Sequence, residues 1–145
     1  MSLWDWAVGI YQLPDVADAC LALQDSHGQS VSLLLWSIWA SPDAQTLEKG
    51  ATFAREWDRA VLRSLRDVRR WLKTAHPMVD DTGRSELREE VVTAELLAER
   101  VLLETLEQLA ARSPDDPLRS LTAASKVWGP AAPFDALQRL AVAVS

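Results

Sequence analysis

Apolar residues recur along this chain at intervals of three and four over most of its length, and no stretch alternates strictly between apolar and polar. The first pattern is that of helix faces, the second that of strands, so every element predicted here is helical. Ser2 followed by Asp5 reads as a capping box opening a short helix, with Leu3, Trp6, Ala7 and Ile10 on one face. Trp4, Val8 and Tyr11 lie on another, which predicts packing on more than one side. Pro14 ends this helix or starts the next, which runs over 14–26 with Val16, Ala19, Cys20 and Leu23 inward. His27-Gly28 stops it. Ser30 caps a third helix over 31–40, apolar all round and therefore central in the fold or covered by a partner.

Ser41-Pro42-Asp43 restarts the chain. A fourth segment, broken near Gly50, has its strong part over 51–75, where Phe53, Trp57, Val61, Leu65, Val68 and Leu72 recur at helical spacing. After a loop over 76–83, a long helix covers 85–112 with Leu87, Val91, Ala98, Leu102 and Leu109 among its apolar positions. Ser113 to Pro117 punctuates again, and a helix over 118–127 ends at Trp128-Gly129-Pro130. Pro133 opens the last helix, with Phe134, Leu137, Leu140 and Val144 inward. The expected architecture is all-α, a single-domain helical bundle over 1–145. It has six to seven helices, a central apolar helix and a long antiparallel helix hairpin. Residues 1–41 form a Trp-rich apolar module, 42–112 the charged hairpin, and 113–145 the C-terminal helices.

Charge sharpens that picture. The chain carries a net −6, which argues against nucleic acid as a partner. Its distribution is uneven. Residues 51–76 hold a net +4 and 79–107 a net −6, so the two halves of the hairpin should face each other with opposite charge. A grip on phosphate by Arg59, Arg63, Arg66, Arg70 and Lys73 is the competing reading of the basic helix. With 48% hydrophobic and 25% charged residues over 145 positions, the chain is globular and able to bury a core without staples. One cysteine, no signal-peptide pattern and no apolar run near the roughly 20 residues of a spanning helix lead us to expect a cytoplasmic protein with no membrane span.

Candidate chemistry is sparse. Neither His27 nor His76 has a Glu three positions before it, so the Glu pairs of the long helix lack the histidines of a helical di-iron site. No serine sits in a nucleophile elbow, and no glycine-rich phosphate loop or Cys/His metal spacing is present. We therefore expect no catalytic residues, no cofactor and no metal. What stands out is the tryptophan content, seven in 145 residues. Trp4, Trp6, Trp36 and Trp39 are candidates for a pocket or an interaction surface. The alanines within AELLAER allow Glu95 or Glu99 to turn inward, where either would need an arginine such as Arg66 or Arg69. Asp5 is the acid nearest the first tryptophans.

The segments LWDWAVGIYQLPDVADACLALQD and SVSLLLWSIWA, with Trp57, LRDVRRWLK and LREEVVTAELLAER, resemble the DUF2390 family of small proteobacterial proteins. The resemblance covers roughly the first hundred residues and departs from the family pattern before the LLLW run, where the family has Asn and this chain has Ser32. It implies a bacterial, cytoplasmic, all-helical protein with no established activity, and brings no catalytic residues with it. The sequence thus points to a non-enzymatic interaction or adaptor protein with a protein partner or a second copy of itself. The alternative is a small-molecule binder, or a degenerate enzyme, that takes an anionic metabolite in a Trp-lined pocket.

Overall fold

The computed structural model describes residues 1–145, and its elements are helical throughout. They are α1 (Leu3–Tyr11), α2 (Pro14–His27), α3 (Val31–Ala40), α4 (Ala44–Trp57), a π-helical turn (Asp58–Leu62), α5 (Arg63–Trp71), α6 (Asp81–Leu109), α7 (Pro117–Trp128) and α8 (Phe134–Ala143). Because α4, the π turn and α5 run on without a break, the bundle has seven rods. No helix is long and apolar enough to cross a membrane.

The helix starts follow from their capping residues. Ser2 Oγ accepts the Asp5 N–H at 3.0 Å and donates to Asp5 Oδ2 at 2.8 Å, so the Asp5 carboxylate answers the Ser2 hydroxyl and not the Ser2 N–H of a full capping box. Ser30 Oγ accepts the Leu33 N–H, and Asp43 accepts that of Thr46. Asp80 accepts the Gly83 N–H at 2.9 Å. This last cap moves the start of α6 forward: the helix begins at Asp81 and takes in Gly83, which the sequence assigns to the loop. Gly28 closes α2 in the left-handed region at φ 62°, where a side chain would be strained.

Helix α3 is central, as its all-round apolar surface requires. Every residue from Leu33 to Ala40 is buried, with α6 and α7 as its largest neighbours and α4, α1 and α2 closing the rest. The expected break at Gly50 does not occur; Gly50 lies inside α4. It has a packing reason instead. A Cβ there would meet the Trp36 indole at Cζ3 and, at 2.7 Å, at Cη2. Glycine lets α4 approach the fully buried Trp36 ring.

The basic and acidic segments do form an antiparallel hairpin, α5 against α6. Its charges meet across the hairpin in one ion pair, Arg69 with Glu95 at 2.5 Å. The other ion pairs join residues within five positions of each other in the chain. Polar contacts to backbone complete the seam: Arg84 donates to the Leu72 carbonyl at 2.7 Å and the Trp57 indole N–H to that of Ala98 at 3.0 Å. Four residues expected inward, Val68, Leu87, Leu109 and Phe134, are exposed. Phe134 stands at the first position of α8, which buries Leu137, Leu140 and Ala141 instead.

Candidate functional site

Helix α1 lies antiparallel to the second half of α6, tied at one end where the Leu3 N–H donates to Glu107 Oε1 at 3.2 Å. Between these helices and the start of α3 the core is left open as a cleft of about 390 Å³. From α1 it is lined by Trp4, Val8 and Tyr11, from α3 by Leu35, and from α6 by Leu96 and Leu103. Val8, Tyr11 and Leu96 are exposed on its rim. A mostly apolar concavity of this size falls in the range of small-molecule sites.

At Gln24, Ser32 and Glu99 the cleft runs into a second, polar hollow of about 200 Å³. One wall is the hairpin, with Asp58, Arg63 and Arg66. The other is the first turn of α3. There the Ser30 carbonyl and Oγ take the N–H groups of Leu34 and Leu33, which leaves the amides of Val31 and Ser32 without a protein acceptor. The loop before α3 is pinned to the one after α7. The Trp128 indole N–H donates to the Gly28 carbonyl at 2.8 Å, and Gln29 Nε2 to the Pro130 carbonyl at 2.9 Å. Gln29 is buried, and its Oε1 has no hydrogen-bond partner.

Glu99 stands where cleft and hollow meet. Burial pushes its carboxyl above the usual carboxylate range; the nearby Arg66 guanidinium pulls the other way, Glu95 adds to the rise and Arg69 opposes it. Neither Glu99 nor Arg66 makes an ion pair within 4 Å. Arg63, by contrast, donates to Asp58 Oδ2 at 3.1 Å. The Tyr11 phenol is raised, mainly by burial, with smaller contributions from Cys20, Glu99 and Asp25. Cys20 itself is buried and its thiol is pushed up to about 12 by that burial, which makes it unreactive.

The π turn sets which arginines face the site. A regular helix continuing from Trp57 would turn Val61, Leu65 and Val68 inward. The wider turn inserts one residue of phase, so Leu62 is buried, Val61, Leu65, Arg66 and Arg69 are half-buried, and Val68 is exposed. The chain thereby aims Arg66 at the hollow and Arg69 at Glu95.

Of the nine residues singled out in the sequence, three meet at this site. Trp4 lines the cleft, with the Arg100 guanidinium 5.6 Å from its ring centroid, and Glu99 and Arg66 share the hollow. Arg69 and Glu95 pair with each other outside both. Asp5 is turned to the Ser2 cap. Trp36 and Trp39 are sealed in the core, and Trp6 packs on Trp39 with centroids 5.6 Å apart. The sequence reading misses Tyr11, Gln24, Gln29 and Ser32. Polar residues flanking a helix that is otherwise wholly apolar are the signal that marks the last two. No three His, Cys, Asp or Glu side chains converge as metal ligands.

A family model described as a protein of unknown function, DUF2390, matches residues 2–106. The chain belongs to the DUF2390 family. No curated protein and no solved structure matches it. The DUF2390 stretch contains the whole cleft and every residue of the hollow except Trp128, so α7 and α8 add cover to α3 and α2 rather than walls to the cleft.

Proposed function

We propose that this DUF2390 chain is a non-enzymatic binding protein whose working surface is the cleft between α1 and α6, and that the cleft takes a small molecule with an apolar body. One observation carries the reading: a bundle that seals Trp36 and Trp39 leaves open an apolar cleft of about 390 Å³. Covering such a surface with an apolar ligand gains about 25 cal/mol per Å² removed from water. Leu96 is 55% exposed on the rim, so Leu96→Asp should fold while placing a charge at the mouth. Calorimetric titration of decanol should show saturable binding to the unaltered chain and at least a tenfold loss in L96D. No binding to the unaltered chain, or equal binding to both, defeats the reading.

A protein partner or a second copy is the other occupant to weigh. It is favoured by the continuation of the apolar rim along α6 into Val92 and Leu97, both exposed. A cytoplasmic adaptor would use that strip. Sedimentation equilibrium of the unaltered chain and of L97K tests self-association: a dimer that L97K dissociates supports it, and monomers in both count against it.

A further inference from the structure

We propose that the polar hollow beside the cleft is an anion site for a phosphate monoester head group, so that the ligand is an amphiphile with its tail between α1 and α6. The inference rests on the cleft being the binding surface, and adds to it the identity of the head.

Three independent features of the hollow converge. The first is the start of α3, a ten-residue helix whose Val31 and Ser32 amides lack protein acceptors. Unsatisfied amides at the positive end of a helix favour an anion. The second is the pair of arginines that line the same hollow. Arg66 makes no ion pair or hydrogen bond and is the free cation; Arg63, 62% exposed at its side chain, is paired at 3.1 Å with Asp58, which also lines the hollow. A free Arg fork and a helix start lining one hollow suit a tetrahedral oxyanion. The third is Gln29, only 4% exposed and among the residues of the hollow, whose Nε2 is committed to Pro130 and whose enclosed Oε1 has no partner. An acceptor among donors asks for a head group that also carries an O–H. A hydrogen phosphate supplies oxyanion and O–H together; a carboxylate supplies only the first.

Glu99 closes the other side. It lines both cavities, so a head group in the hollow would have its tail leave past the Glu99 side chain. A carboxylate there opposes a bound anion, and its removal should tighten binding.

The test uses the full chain with three probes: decyl phosphate below its micelle concentration, decanol, and inorganic phosphate, each titrated by calorimetry into the unaltered chain, R66Q and E99Q. Decyl phosphate should bind the unaltered chain at least tenfold more tightly than decanol, and inorganic phosphate far more weakly than either. R66Q should erase the preference while leaving decanol unchanged, and E99Q should raise decyl phosphate affinity several-fold. If the two decyl probes bind the unaltered chain equally, or R66Q keeps the preference, the head-group assignment is overturned and the cleft stands. If inorganic phosphate binds as tightly as decyl phosphate, the joined site is overturned. If neither decyl probe binds, the cleft itself fails. Circular dichroism of both variants, matching the unaltered chain, confirms that a lost preference reports the site.

Discussion

Gly50 and Trp36 show how a single hydrogen atom sets a helix spacing. Gly50→Ala should gain up to about 1 kcal/mol of helix propensity, yet the added methyl falls within 3 Å of the indole edge. Overpacking of a rigid ring costs about 1–3 kcal/mol, so the variant's urea midpoint should fall. An unchanged or raised midpoint would show that α4 can retreat freely. Glu99 makes a prediction with pH. Its carboxyl is raised in the folded chain, so folding favours the protonated form. The associated stability is present below the unfolded value and lost as pH rises through the folded one. Glu99→Gln should therefore raise Tm at pH 7, on the order of 2–4 °C, and the gain should vanish near about pH 3, where carboxyls are protonated in either state. The tryptophans divide in the same spirit. Trp6→Ala removes the ring packed on Trp39 and should cost about 3 kcal/mol. Trp4 borders the open cleft and meets the Arg100 guanidinium instead of another ring, so Trp4→Ala should cost less by urea unfolding. The sequence marks these rings as notable but does not separate them. Trp4 and Trp6 are both half-buried, and what each ring packs on is set by α3 and α6 rather than by α1.

At the scale of elements, the π turn decides more than any cap. The helices themselves are legible in the sequence because caps and punctuation are local: Ser2, Ser30 and Asp43 each bond an amide three residues on. The phase of α5 is not. A stripe continued at regular spacing to Val68 is out of register after Asp58–Leu62, where Val68 is exposed, and that register is what turns Arg66 and Arg69 inward. Removing Ala60 should restore ordinary helix and rotate α5 by about 100°. A double-mutant cycle on Arg69 and Glu95 tests it. The pair, 29% and 16% exposed at the side chains, should couple by about 0.5–1 kcal/mol in the unaltered chain. In the chain lacking Ala60 the coupling should fall to about zero; a retained coupling would mean that the π turn is not what sets the phase. The cleft was invisible for a related reason. A concavity is a relation between α1, α3 and α6, and no one helix's periodicity records it.

The whole molecule depends on its last two helices although the family match stops at residue 106. Leu121 of α7 and Leu137 and Leu140 of α8 are buried against α3 and α2. Three such side chains contribute roughly 5–9 kcal/mol, comparable with the whole of a typical domain's ~5–15 kcal/mol. A chain ending at residue 112 should lose its cooperative thermal transition in calorimetry; a sharp transition there would show that α1–α6 fold alone. The placement of α3 has a further consequence, in the time it takes to make the protein. The most apolar helix is synthesised by residue 40, whereas α7, which lies across it and ends at Trp128, comes 88 residues later. At about 5–20 residues per second, α3 waits roughly 4–18 s on the ribosome for that cover. During that interval the nascent chain offers a ten-residue apolar segment with two tryptophans, and it is then that misassociation competes most strongly with folding.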